Sequence, residues 1–144
     1  MKALLASWQL WAFLSAVAAA LTAIFAKLGV QGVNSDFATF VRTIVVVLAL
    51  GALLAMNGNW QSLSGVSTRT WAFLVLSGLA TGASWLFYFR ALGLGQASQV
   101  APIDKLSVVF VAIFAGLFLG ESLSALAWVG VGLIAVGATL VAMA

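Results

Sequence analysis

Cysteine and histidine are both absent from this chain of 144 residues, and acidic residues are nearly so, with three in total. Without Cys or His, the chain excludes disulfides, thiol chemistry, haem ligation and the usual zinc or copper sites. The three acids, Asp36, Asp104 and Glu121, are too few and too dispersed for an ordinary hydrolytic carboxylate site. We therefore expect no enzymatic activity and no bound metal.

Charged residues and proline are also scarce. Charged residues make up 6% of the chain, and proline occurs once. Hydrophobic residues make up 65%, and the mean hydropathy of +1.22 excludes a soluble globular domain. The formal net charge of +3 comes from scattered cations without a basic stripe, so we expect no nucleic-acid partner. The partner that this composition requires is the lipid bilayer.

Most of the sequence consists of long runs without a charged residue. They comprise 24 residues between Lys2 and Lys27, 20 between Arg69 and Arg90, and 23 after Glu121. Each run is long enough to cross a hydrocarbon core of about 30 Å as a helix. Because the runs lack the alternation of barrel strands, the sequence predicts an all-α integral membrane protein, with five transmembrane helices in one bundle.

Two of the five apolar stretches are too short to span unless they take charges into the membrane. Residues 43–56 and 106–120 would reach only about 21 to 23 Å as helices. These helices must therefore extend upstream and include Arg42 in one case, and Asp104 with Lys105 in the other. Ionisable residues at membrane depth are rare, and each is a candidate functional residue.

The predicted helices are separated by short loops that contain Gly, Asn and Ser. The first is interpreted as a retained span, because 24 uncharged residues are long for a signal peptide. No linker is visible, so residues 1–144 are predicted to form a single domain. The predicted helices cover about residues 5–28, 35–56, 70–89, 98–119 and 123–143.

An odd number of helices places the two termini on opposite sides of the membrane. Lys2 and Arg69 then lie on one side, against Lys27 and Arg90 on the other, so the count of cations gives little or no orientation preference. Dual insertion and an antiparallel homodimer would rebuild the inverted repeats of many transporters. A single orientation with a weak bias is the open alternative.

Tryptophans and charged residues are predicted to lie at opposite ends of the bundle. The tryptophans at one end are Trp8, Trp11, Trp60, Trp71 and Trp128, and the charged residues at the other end are Lys27, Asp36, Arg42, Arg90, Asp104 and Lys105.

From Gln96 onward the sequence resembles the end of an EamA-like domain of the drug/metabolite transporter superfamily. The matching features are Ala101-Pro102 at the start of the fourth helix, Gly120-Glu121 at its end, and a Gly-rich last helix. The segment Ile24–Lys27 and the segment Phe40–Arg42 resemble the family's start, so the resemblance covers essentially the whole chain.

The resemblance implies a secondary transporter without a cofactor, usually an exporter of metabolites or toxic compounds, as a multi-pass protein of the inner (plasma) membrane. Most members carry two such domains and ten helices, and the present chain is similar to the small five-helix bacterial and archaeal branch. The fold is thus expected to equal one repeat of a ten-helix transporter. Since the family's central cavity lies between two repeats, a homodimer is implied.

Asp104 and Lys105 follow the only proline, Pro102, and allow two interpretations. In the first, Pro102 and Asp104 occupy a first helical turn and Lys105 extends to the interface. In the second, Asp104 accepts a proton or binds a cation, and Lys105 is its charge partner or binds an anion. Neighbouring residues on a helix point about 100° apart, so the two need not contact each other.

Arg42 and Lys27 are further candidates for binding a solute or an ion. Arg42 lies about two turns into the second helix, where it lines a polar cavity, extends to the interface, or pairs with Asp36 or Asp104. Lys27 ends the first helix, where the helix dipole alone favours a cation.

Trp85 and Tyr88 share one helix face with Phe89 at the depth of the charged cluster, and this face is suited to stacking on an apolar or cationic solute. The alternative is an aromatic belt at the membrane interface. The pairs Gly78/Gly82, Gly116/Gly120 and Gly130/Gly137 favour close helix packing. Two other functions remain open: a non-transporting subunit of a larger membrane complex, and an intramembrane enzyme, for which no nucleophile and base pair is found.

Overall fold

The computed structural model describes residues 7–144, which consist of helices and short connections. Five helical segments are long and apolar enough to cross a membrane, which confirms the predicted all-α membrane fold. The start of the first predicted helix, residues 5 and 6, lies outside the described residues. The helices are α1 (Trp8–Gly29), α2 (Ser35–Asn57), α3 (Thr68–Leu94), α4 (Ala97–Asp104), α5 (Ser107–Phe114) and α6 (Ala125–Met143).

The ends of α2 follow the signals in the sequence. The Asn34 side chain accepts hydrogen bonds from the backbone N–H groups of Asp36 and Phe37, at 2.9 and 3.1 Å. It thereby satisfies donors that the first helical turn leaves free. At the other end, Gly58 has a φ of +65° and donates its N–H to the Leu54 carbonyl. This left-handed cap favours glycine and ends the helix.

Helix α3 is longer than the predicted range of 70–89. The Ser67 hydroxyl accepts a hydrogen bond from the Thr70 N–H at 3.1 Å, so the helix begins two residues early, at Thr68. It also continues past Arg90 to Leu94. The prediction ended the helix at the charge, but Arg90 is accommodated within it by an ion pair with Asp36.

The fourth span extends over Ala97–Leu119, close to the helix predicted over 98–119, but it is not a regular α-helix throughout. It consists of α4, a turn at Lys105 and Leu106, α5, and a π-helical turn over Ala115–Leu119. Helical hydrogen bonds continue through the turn, because the Lys105 N–H donates to the Ala101 carbonyl at 3.3 Å and the Leu106 N–H donates to the Ile103 carbonyl at 3.0 Å. Pro102 is the sixth residue of α4 rather than part of a first turn, and Asp104 is its last residue. The dipole explanation offered for these two residues is therefore wrong.

Gly120 ends the fourth span as the sequence predicts, with a φ of +69°. Its N–H and that of Glu121 both donate to the Ala115 carbonyl, which closes the π-helical turn. The last helix begins at Ala125, two residues later than predicted, because the Ser124 side chain caps it by accepting the Ala127 N–H at 3.2 Å.

The described residues divide into two compact units. The terminal unit contains the described residues through Lys27 together with Leu94–Ala144, and within it α6 packs against α4 and α5. Its buried side chains are mostly alanines, such as Ala112, Ala115 and Ala138, which let membrane helices approach closely. The central unit, Leu28–Gly93, contains α2 and most of α3.

Large apolar side chains are exposed along all five spans. On the fourth span, Phe110, Phe114 and Phe118 form an exposed ladder, with ring centroids 6.3 and 5.9 Å apart. A surface of this kind would associate in water but is suited to lipid. The described part of the chain therefore matches a multi-pass membrane protein.

Candidate functional site

Helices α2 and α3 of the central unit run antiparallel, and a charged pair joins them at one end. Arg90 donates from Nε to Asp36 Oδ1 at 2.8 Å and from Nη2 to Asp36 Oδ2 at 2.7 Å. This is the bidentate arrangement in which guanidinium and carboxylate groups match best. Both residues belonged to the predicted charged pole, but the sequence did not identify the pairing, since 54 residues separate them.

Arg42 lies further along the same two helices and contacts aromatic rings. Its guanidinium carbon is 4.0 Å from the centroid of a Trp85 ring and 5.4 Å from that of Phe89. A cation over an aromatic face is attracted by the ring quadrupole, and tryptophan is the strongest such partner. The structure thus brings together two of the predicted site residues, Arg42 and Trp85.

Phe89 is almost fully buried, at 3% exposure. Trp85 and Phe89 share a face of α3, as predicted, and this face contacts Arg42. Tyr88 lies between them in the sequence of α3, three residues after Trp85, and its place on this face stays a prediction. We name the four residues Arg42, Trp85, Tyr88 and Phe89 the arginine–aromatic cluster.

Two threonines flank Arg42 on its own helix. Thr39 is buried and donates its hydroxyl to the Ser35 carbonyl at 2.8 Å, and Thr43 donates to the Thr39 carbonyl at the same distance. Each hydroxyl is thereby satisfied within α2. Sequence reasoning did not identify Thr39; its position one turn before Arg42 was the available signal.

Arg42 has no carboxylate partner within its unit. Asp36 is the unit's only acid, and Arg90 occupies both of its oxygens. The alternative in which Arg42 pairs with Asp36 is therefore wrong. A guanidinium can form five hydrogen bonds in a planar fork, which is suited to binding a carboxylate or phosphate.

The other predicted site residues belong to the terminal unit. Lys27, at the end of α1, donates from Nζ to the Gly95 carbonyl at 2.7 Å. This bond joins the end of α1 to the connection that follows α3. Lys27 thus has a structural contact that the sequence did not predict, since the alternative for this residue was the helix dipole alone.

Asp104 and Lys105 lie where α4 ends and the turn before α5 begins. Lys105 Nζ is 3.2 Å from Asp104 Oδ2, so the two side chains are in contact although they point in different directions on a regular helix. These two charges lie within the fourth span, where ionisable residues are candidate functional residues.

Metal chemistry finds no support in the part of the chain that the structure describes. No group of three or more His, Cys, Asp or Glu residues lies close enough there to hold an ion. The arrangement is instead suited to noncovalent binding by a charged and aromatic cluster.

Comparison with known proteins points to transport. The model of the EamA-like transporter family matches residues 6–143. A relative from Sinorhizobium sp., named "Uncharacterized transporter in cobO 3'region", is 61% identical over 137 residues, which cover 95% of this chain and 97% of the relative. No solved structure gives a significant match.

Proposed function

Because the chain belongs to the EamA-like transporter family, we propose that it is a small secondary transporter that exports a metabolite or a toxic small molecule by alternating access. It resides in the inner (plasma) membrane as a single domain equal to one repeat of a ten-helix transporter. Family membership and the relative's name point to transport rather than to catalysis. The candidate binding residues are Asp104, Lys105, Arg42, Lys27, Trp85 and Tyr88.

The observation that carries this proposal is the position of Arg42. A charged side chain in an apolar span is costly and needs a function or a partner to retain it. Arg42 is the eighth residue of α2, about 10 Å from the start of that helix. Aromatic rings contact it there, and the one acid of its unit, Asp36, is paired with Arg90. A solute-binding site accounts for such a residue.

The transport unit in this proposal is an antiparallel homodimer. Three observations support it: the number of spans is odd, the distribution of cations gives little orientation preference, and the helices have extensive exposed apolar surface. In addition, a Cβ atom placed on Gly78, Gly82, Gly130 or Gly137 would meet nothing within 4 Å, so these positions are open for a second copy. The solute cavity then lies between two copies, in the manner of an inverted repeat.

Export is tested by comparing solutes released from cells that express the wild-type chain or Arg42→Gln at equal membrane levels. We expect the wild type to enrich at least one solute in the medium and Arg42→Gln to abolish that enrichment. The same solute should show counterflow in proteoliposomes, which is the signature of alternating access. Arg69→Gln is the matched control, because Arg69 is also near an aromatic ring, Phe73, but lies in the first turn of α3.

Unchanged media together with an absence of counterflow would contradict the transport proposal. The chain would then be a non-transporting subunit of a larger complex.

The antiparallel arrangement is tested separately, with a compartment-sensitive reporter at the C-terminus and, in a second fusion, beyond an added sixth helix. We expect signal from both compartments with each fusion. Signal from one compartment alone would exclude the antiparallel dimer.

A further inference from the structure

We propose that Arg42 binds the anionic group of an organic solute, a carboxylate or a phosphate, along the open edge of its guanidinium. This inference rests on the proposed transport function and assigns the charge of the solute at the same site. It adds a substrate class and a geometry to the arginine–aromatic cluster.

The donors of Arg42 are available. Among residues 7–144, no hydrogen bond is donated by the guanidinium N–H groups of Arg42, and neither of the two ion pairs includes this residue. The side chain is half-buried, so these donors are accessible rather than sealed in the protein. In a span without water, N–H groups of a cation gain strongly from a charged acceptor.

The guanidinium also lies at depth rather than at the end of the helices. Along α3, Phe89 and Trp85 are about 7 and 13 Å from the last helical residue, Leu94. Because α2 and α3 are antiparallel, this end is also the end where α2 begins. The guanidinium is closer to the deeper ring, at 4.0 against 5.4 Å, so it does not extend outward to the interface.

Charge balance gives the sign of the ligand. The central unit contains three cations, Arg42, Arg69 and Arg90, and one acid, Asp36. Asp36 is already engaged by Arg90 through both oxygens. A bound anion would offset the charge of Arg42, whereas a cationic solute would add to the cost of placing charge in the membrane.

The aromatic rings hold the guanidinium in position for such a ligand. The Trp85 ring, 4.0 Å from the guanidinium carbon, restricts the rotation of the group, and the ring cannot accept the in-plane hydrogen bonds that the N–H groups offer to an anion. The Arg90–Asp36 pair, with two parallel bonds of 2.8 and 2.7 Å, shows the geometry that we expect at Arg42. A lysine at this position would supply charge without the fork.

The test measures binding of four small probes to the full chain, in nanodiscs of phosphatidylcholine and in phosphate-free maltoside detergent. Benzoate and phenyl phosphate are the anionic probes, benzamide is neutral, and benzylammonium is cationic. We expect saturable binding of the anionic probes alone, in both media. Arg42→Gln should weaken it by about 10- to 100-fold, and Arg42→Lys by less, because charge-assisted hydrogen bonds are lost. Arg69→Gln should bind the anions as the wild type does.

Three results would overturn the proposal. The first is an absence of anion binding, or equal binding of the amide or ammonium probe. The second is anion binding that Arg42→Gln leaves unchanged. The third is binding in detergent but not in phosphatidylcholine, which would assign Arg42 to a lipid phosphate rather than to a solute.

Failure of this inference can be distinguished from failure of the transport proposal. Anion binding that requires Arg42 without any solute flux in proteoliposomes would uphold the site and contradict transport. Counterflow of a neutral or cationic solute that persists in Arg42→Gln would uphold transport and contradict the anion site.

Discussion

Arg90 and Asp36, 54 positions apart in the chain, hold each other through two parallel hydrogen bonds of 2.8 and 2.7 Å. The pair joins the first turn of α2 to the last part of α3. It fixes which end of one helix meets which end of the other, and it leaves the deeper cation, Arg42, without a carboxylate in its unit.

The Asp36–Arg90 pair predicts rescue by charge exchange. Asp36→Arg and Arg90→Asp should each lower the midpoint of thermal unfolding in detergent, because each places like charges opposite one another. The double variant restores opposite charges and should recover at least part of the loss. Both side chains are about half exposed, so the effects should also shrink as salt is added. A double variant no more stable than the singles would show that the pair does not hold the two helices.

The contact between Arg42 and Trp85 predicts a measurable coupling energy. A double-mutant cycle with Arg42→Gln and Trp85→Leu should give about 0.5 to 2 kcal/mol, the range of cation–π interactions. Trp85→Phe should retain part of it, since a smaller ring still presents a π face. The measurement is reversible unfolding in detergent. Additive effects of the two substitutions would contradict the stacking contact.

The proline inside α4 predicts an unusual response to its replacement. Pro102→Ala restores an N–H that can donate to the Ser98 carbonyl, and it removes the ring, so the unfolding midpoint should rise. If the irregular turn after the proline contributes to alternating access, transport should fall while stability rises. A lower unfolding midpoint would show instead that the turn is required for the packing of α4 against α6.

The acid at the end of α4 predicts a pH effect. If Asp104 carries a proton during export, the rate of the wild type should depend on pH, and the rate of Asp104→Asn should not, with the protein still folded. Glu121→Gln is the control, because Glu121 lies in the loop between the π-helical turn and α6 and should leave the pH profile unchanged. Retention of the wild-type profile in Asp104→Asn would exclude Asp104 as the proton carrier.

Two glycines predict opposite effects of the same substitution. Gly120 has a φ of +69°, so Gly120→Ala should lower stability by about 1 kcal/mol. Gly137 has ordinary helical geometry and free space around it, so Gly137→Ala should leave the stability of a single copy unchanged or slightly higher. If α6 contributes to the dimer contact, Gly137→Ala should reduce cross-linking between copies in membranes. Unchanged cross-linking would place the contact elsewhere.

The sequence predicted where several residues of the candidate site lie, but not which of them contact each other. The length of the apolar run after Arg42 placed that residue in the membrane, and helical spacing placed Trp85 and Tyr88 on one face. Neither argument identified the contact between Arg42 and Trp85, because it joins different helices. The interpretation of Pro102 and Asp104 as a first helical turn was wrong, because Pro102 is the sixth residue of α4 and that helix ends at Asp104.

What the sequence by itself determined is the class of the protein and its five spans. In lipid each helix must satisfy its backbone hydrogen bonds within its own segment, so the length of an apolar run is sufficient evidence. Only the tertiary structure decided which charges meet. The sequence contains several cations that could pair with Asp36, and the register of α2 against α3 places Arg90 next to it. Such pairings depend on distances between helices, and no local pattern in the chain encodes them.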